Sequence, residues 1–152
     1  MYQARALAKE ADFIAVGSND LTQYLLAVDR NNPRVADLYR ETHPAVISAL
    51  REVARNVHAE EKPLGICGEF AGTPVGAVLL LGMGYHVLSM NATHLPRVKW
   101  IIRNMKRSDA RRVLARVLKM DSPEEVNQYV TQHLYAAGLG RVMPKREILV
   151  RR

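Results

Sequence analysis

Cysteine, bulky aromatics and long apolar runs are all scarce in this chain. Its 152 residues hold one Cys, one Trp and two Phe. A single thiol excludes an intrachain disulfide and fits a reducing compartment. The longest apolar run, Val75 to Met83, is interrupted by glycines and falls far short of the roughly 20 residues that span a bilayer. Lys9, Glu10 and Asp12 come too early after Met1 for a secretory leader. These absences predict a soluble, cytoplasmic protein with no membrane partner. Apolar residues make up 48% of the chain, enough to build a core and too many for a disordered segment.

Acid is the other scarce commodity, and its scarcity is local. The formal net charge is +7. From Arg97 to Lys119 nine Lys or Arg face a single acid, Asp109, so that segment alone accounts for the excess. Val113, Leu114, Val117 and Leu118 fall at helical spacing within it. The simplest reading is a solvated face on two surface helices. Neither zinc-finger spacing nor an aromatic RNA-binding motif accompanies it, which argues against specific nucleic-acid recognition. Its functional alternative is a docking surface for an acidic protein or domain.

The pattern along the chain alternates strands and helices. Residues 2 to 10 read as the end of a helix, and Asp12 to Val16 as a short buried strand stopped by Gly17. Asn19 to Ala27 suits one or two helical turns. His43 to Glu60 carries Pro44 in its first turn and a stripe of Val46, Ile47, Leu50, Val53, Ala54 and Val57. Leu64 to Cys67 reads as the second strand. A helix from Thr73 and Pro74 to Leu81 is expected to stop at Gly82 and Gly84. Val87 to Met90 reads as the third strand. Helices follow over Leu95 to Met105 and Ser108 to Met120, and a last one opens on the capping-box run Ser122-Pro123-Glu124-Glu125 and ends near Gly138. No low-complexity linker divides the chain, so one domain is expected over 1–152.

Strand, helix, strand, helix, strand implies parallel pairing, and ligands bind such folds at the C-terminal ends of the strands. Polar residues gather there: Gly17-Ser18-Asn19-Asp20 after the first strand, Cys67-Gly68-Glu69 after the second, Asn91 after the third. An amide, a carboxylate, the guanidinium of Arg30 and the only thiol form a set suited to a metal-bound phosphorylated acid with a proton donor nearby. Each has a plainer role open to it. Asp20 could cap a helix, Arg30 could pair with Asp29 or Asp37, and Cys67 could be a small core residue. The five histidines show no close metal-binding pair by spacing. Three parallel strands leave two open edges and apolar faces, so part of a larger barrel, or a chain completed by a partner, is expected.

Gly17-Ser18-Asn19-Asp20-Leu21-Thr22-Gln23-Tyr24, with Leu26-Ala27-Val28-Asp29-Arg30, resembles the second signature of the phosphoenolpyruvate-utilising enzymes. Cys67-Gly68-Glu69-Phe70-Ala71-Gly72 resembles that family's catalytic cysteine loop. The likeness extends over nearly the whole chain. The family includes enzyme I of the bacterial phosphotransferase system, phosphoenolpyruvate synthase and pyruvate phosphate dikinase. Ala27 to Pro33 and the cysteine loop are most similar to enzyme I; Ser89-Met90-Asn91-Ala92 with Leu95 to Trp100 is most similar to its nitrogen-branch paralogue.

The resemblance implies an α/β fold: the C-terminal half of a (β/α)8 TIM-type barrel with parallel strands and additional C-terminal helices. It implies that the first half-barrel, the phosphohistidine domain and the carrier-binding helices lie outside this chain, which alone would be inactive. Asp20 then matches a Mg2+-binding carboxylate, its glutamate companion lying upstream. Asn19 and Arg30 match substrate-phosphate contacts. Cys67 matches the residue that exchanges a proton with carbon between enolpyruvate and pyruvate. Phosphoenolpyruvate, pyruvate, a histidine phosphocarrier protein and a second copy in a homodimer are the implied partners. The alternatives are a fragment of phosphoenolpyruvate synthase or pyruvate phosphate dikinase, or a non-catalytic dimerisation or binding module.

Overall fold

The structure, a computed structural model, describes residues 2–142. It is an α/β fold. Among the described residues the sheet has three strands, β1 (Ile14–Gly17), β2 (Leu64–Cys67) and β3 (Val87–Ser89), in the order β1-β2-β3 and all parallel. Helices α1 (Ala4–Glu10), α2 (Ser18–Leu26), α3 (Pro44–His58), α4 (Pro74–Met83), α5 (Leu95–Asn104), α6 (Arg107–Val117) and α7 (Pro123–Ala136) surround it.

Local chemistry explains where the central helices begin and end. At α3, His43 Nδ1 accepts from the Ala45 N–H at 3.1 Å and Pro44 presets the first turn. Its stripe Val46, Ile47, Leu50, Val53, Ala54 and Val57 is buried. At α4 the Thr73 hydroxyl accepts from the Gly76 N–H at 2.9 Å, and Gly84 closes the helix in the left-handed conformation at φ 88. Between those caps α4 is apolar nearly all round, so it lies in the core with α5 and α6 packed on it. Tyr85, just after α4, donates its buried hydroxyl to the Leu50 carbonyl at 3.1 Å and so ties α4 to α3. Ser122 caps α7 by accepting from the Glu125 N–H, the first half of the expected box.

The two faces of the sheet differ. Leu64 and Ile66 of β2 are fully buried against the helices. Ala15, Gly65 and Val87 pair across the three strands, as do Gly17, Cys67 and Ser89. Paired residues of parallel strands point to the same side, so these two rows share the opposite face. That face is only thinly covered: Val87 is 56% exposed, and Phe13, just before β1, is 64% exposed. β1 and β3 are the edges of the sheet among the described residues. No helix among those residues is long and apolar enough to cross a membrane.

The basic segment is a solvated face. Lys99, Arg103, Arg107, Arg111, Arg112, Arg116 and Lys119 are exposed on α5, α6 and the turn that follows. Asp109 pairs with Arg112 within α6.

Candidate functional site

The register sets the site. Gly17 pairs with Cys67 and Cys67 with Ser89, so all three strands end in one row. α2 starts directly after Gly17, which makes Asn19 and Asp20 the second and third residues of its first turn. Both are therefore held at the C-terminal edge of the sheet beside the end of β2.

Asp20 does not cap this helix. The cap position is Gly17, and Asp20 lies within the first turn, three residues on. Its Oδ2 is 3.7 Å from the point a Gly17 Cβ would occupy, so the carboxylate leans over the end of β1 on the side that Cys67 faces. A carboxylate at a helix N-terminus is stabilised by the macrodipole and stays available as an oxygen donor. That suits Mg2+, a hard cation that takes few protein carboxylates and completes its shell with water and substrate oxygens. Asp20 fits as one ligand. Among the described residues no group of three or more His, Cys, Asp or Glu is placed to hold a metal.

Cys67 is exposed at the end of β2. The buried-core alternative for this residue is thereby corrected: Leu64 and Ile66 take the inward positions, and strand alternation turns Cys67 outward. Gly68 then turns the chain at φ 126, and a side chain there would collide with the Ser18 hydroxyl. The cysteine loop thus lies directly on the start of α2.

Arg30 reaches the same loop. Its backbone N–H donates to Gln23 Oε1 at 3.1 Å, which anchors the residue to α2. Ala27, between them, takes the left-handed conformation at φ 54 so that the chain can double back. The guanidinium pairs with the Glu69 carboxylate at 3.4 Å, rather than with Asp29 or Asp37. The Glu69 N–H donates to Asn19 Oδ1 at 3.4 Å. The Asn19 amide, and then Arg30, hold the Glu69 carboxyl below the usual carboxylate range. Asn19, Arg30 and the cysteine loop therefore form one polar network.

Three members of that network are not evident as site residues in the sequence. Glu69 lies within the cysteine-loop motif, with nothing local to reveal its partner 39 residues away. Tyr39 and Glu41 come from the loop before α3. The Tyr39 hydroxyl lies 3.4 Å from both Asn19 Oδ1 and Glu41 Oε1. Burial, and then the neighbouring Glu41 charge, push the Tyr39 hydroxyl up to about 12, so it remains a donor. Burial, and then Glu69, raise the Glu41 carboxyl. Asn127 of α7 donates to Thr42 at 2.8 Å and holds that loop in place. An open depression of about 440 Å³ adjoins the network, lined by Asp20, Gln23, Tyr24, Ala27, Val28 and Asp29.

Residues 1–107 match the family profile described as PEP-utilising enzyme, PEP-binding domain. The chain belongs to this family. It has curated relatives along most of its length. It is 43% identical over 134 residues to the protein of Escherichia coli named phosphoenolpyruvate-dependent phosphotransferase system, covering 88% of this chain and 18% of that one. It is 44% identical over 131 residues to phosphoenolpyruvate-protein phosphotransferase of Haemophilus influenzae, covering 86% of this chain and 23% of the relative. A multiphosphoryl transfer protein of Xanthomonas campestris is 38% identical over 130 residues, covering 86% of this chain and 16% of the relative. The chain spans about a fifth of the length of these PEP-utilising relatives.

His58 and His86 meet with ring centroids 5.5 Å apart in a T-shaped contact at the opposite end of the sheet. His86 Nδ1 accepts from the Leu64 N–H at 3.1 Å, and His58 Nε2 lies 3.4 Å from the Met83 carbonyl. Both rings thereby brace backbone.

Proposed function

We propose that this chain is the substrate-binding part of a phosphoenolpyruvate-protein phosphotransferase of the enzyme I type, in its nitrogen branch. The fold would be the C-terminal half of a (β/α)8 barrel. A thinly covered sheet face bearing Ala15, Gly65, Val87 and Cys67 supports this, because the inward face of a half-barrel is completed by the strands of its partner half. The observation that carries the functional reading is the single network joining Asn19, Arg30 and the Cys67 loop beside Asp20. Four scattered surface residues would have no reason to converge on one strand edge.

Phosphoenolpyruvate binds with its phosphate against Arg30 and the Asn19 amide. A guanidinium fork and a neutral amide donor suit several phosphate oxygens without a second buried charge. Asp20 would hold Mg2+ together with groups outside this chain, and the metal would supply positive charge opposite the bound phosphate. Arg30 stabilises charge on the transferring phosphoryl group. The phosphoryl group passes to a histidine on another domain and then to a histidine phosphocarrier protein. Cys67 gives the thiol proton to the methylene carbon of the enolate left behind, which yields pyruvate and a thiolate; in reverse it takes the proton from the pyruvate methyl group. An exposed thiol at the strand end can reach a ligand there.

A cytoplasmic location fits this proposed reaction. Pairing of two copies would cover exposed apolar surface away from that open sheet face, such as Tyr24. Calorimetric titration of the intact protein with phosphoenolpyruvate and Mg2+, together with transfer of label from phosphoenolpyruvate to a carrier protein, tests the proposal. Binding without transfer to any carrier would point to a phosphoenolpyruvate synthase or dikinase. Failure to bind phosphoenolpyruvate would leave a dimerisation module.

A further inference from the structure

We infer that Glu69 is an internal competitor for the groups that bind the substrate anion, so that it sets the protein's affinity for phosphoenolpyruvate. The inference rests on the phosphoenolpyruvate reading of the site. Arg30 and Asn19 are the proposed phosphate contacts, and Glu69 already engages both, Arg30 through its carboxylate and Asn19 through its backbone N–H. Arg30 Nη1 lies 3.4 Å from Glu69 Oε1. The Glu69 backbone N–H holds Asn19 Oδ1 at 3.4 Å. The Tyr39 hydroxyl is also 3.4 Å from Asn19 Oδ1. With the amide oxygen occupied by donors, the Asn19 NH2 is the end left to meet an anion. Its stabilising effect on the Glu69 carboxylate agrees with that orientation.

The pair suits displacement. Its side chains are 40% and 60% exposed, and 3.4 Å is long for a charge-assisted contact. A phosphate brings more oxygens and more charge to the same fork than a single carboxylate. Glu69 has nowhere deeper to retreat, since Phe70, Ala71 and Gly72 behind it are buried and Glu41 repels it from the loop side. When the phosphate arrives, the Glu69 side chain turns outward to solvent while its backbone N–H keeps Asn19 in place. The empty site is thereby kept neutralised without Arg30 being lost to a stronger partner.

The test is titration of the intact protein with phosphoenolpyruvate in saturating Mg2+, comparing wild type with Glu69→Gln, Arg30→Lys and the double variant. Glu69→Gln is expected to tighten binding about two- to fivefold, the range an exposed ion pair supports. In the Arg30→Lys background the gain should shrink, because the competitor has lost its fork. Glu69→Ala serves as a second variant and should tighten binding in the same direction, with an unchanged melting temperature for both. Weaker binding in Glu69→Gln and Glu69→Ala, or equal gains with and without Arg30, overturns the inference and makes Glu69 a loop brace. Wild-type protein that binds no phosphoenolpyruvate overturns the underlying reading instead.

Discussion

Replacing Gly68 by alanine should damage both stability and substrate binding, and the structure gives the size. Gly68 sits at φ 126 and ψ 178, a region that residues with a Cβ rarely adopt. Forcing an alanine to stay there costs about 1–3 kcal/mol. Its methyl group would also overlap the Ser18 hydroxyl and come within 2.9 Å of Asn19 Oδ1. Ser18 is 1% exposed and cannot swing away into solvent, so overpacking adds about 1–3 kcal/mol more. The sum, about 2–6 kcal/mol, is a large part of the 5–15 kcal/mol typical of a domain. For a chain of this size it corresponds to a melting temperature lower by roughly 4–24 °C. Thermal unfolding followed by circular dichroism measures it. A second variant separates the two causes. Ser18→Ala combined with Gly68→Ala should recover the overlap and leave the backbone strain. A melting temperature within about 2 °C of wild type for Gly68→Ala alone would refute the reasoning and mean that the loop relaxes freely away from α2.

Other perturbations probe the remaining links. Cys67→Ser in the intact protein should leave phosphoenolpyruvate affinity within about twofold and slow pyruvate release by at least about tenfold, since a hydroxyl is a far weaker acid than a thiol; unchanged single-turnover release would remove Cys67 from the chemistry. Arg30→Ala should weaken phosphoenolpyruvate binding by about 10- to 100-fold, the worth of hydrogen bonds to a charged group, whereas Asp20→Ala should mainly raise the Mg2+ concentration needed for half-saturation. Equal small effects from both would assign them to the surface. His58 is held below its ordinary value of 6.5 by burial and then by His86, with Arg107 adding to the effect. The unfolded chain therefore takes up this proton first. Stability from His58 is complete above about 6.5 and falls as pH drops through the lower folded value. His58→Gln should flatten urea-unfolding free energies across that acidic window, and an unaltered slope would reject the assignment.

The sequence is most legible where a local rule and the tertiary structure agree. Leu64 to Cys67 is a strand with the expected ends, because a small residue between two buried ones and a glycine after them leave little choice. β1 runs from Ile14 to Gly17 rather than from Asp12 to Val16. Its ladder begins where Ile14 meets Leu64, and that register is a property of two segments, not one. α4 passes through Gly82 to Met83, although a glycine there looks like a stop. The reason is packing: a Cβ at Gly82 would lie 2.7 Å from the Ala110 carbonyl of α6. In this position glycine lets two helices approach. Asn19, Asp20 and Cys67 stand out because polar residues cluster after strands, and Arg30 through its motif; the register sets the first three at one sheet edge, and Arg30 reaches Glu69 of the cysteine loop. Tyr39 and Glu41 do not stand out. They lie in an aperiodic loop, and their relation to Asn19 exists only once α2, that loop and α7 are assembled.

The pairing of Gly17 with Cys67 has a consequence for how this domain can change. Gly17, which leads straight into the Asp20 turn of α2, and Cys67 lie on adjacent strands about 4.8 Å apart, fixed by one backbone register. Sliding β2 by a single residue would turn Gly65 and Cys67 toward the helices and bring Leu64 and Ile66 out to the open face. The apolar residues that resist this slip in folding therefore act as the ruler for the chemistry. An insertion within either strand would shift the Cys67 thiol relative to the start of α2, so a variant library should leave the spacing from Leu64 to Cys67 untouched.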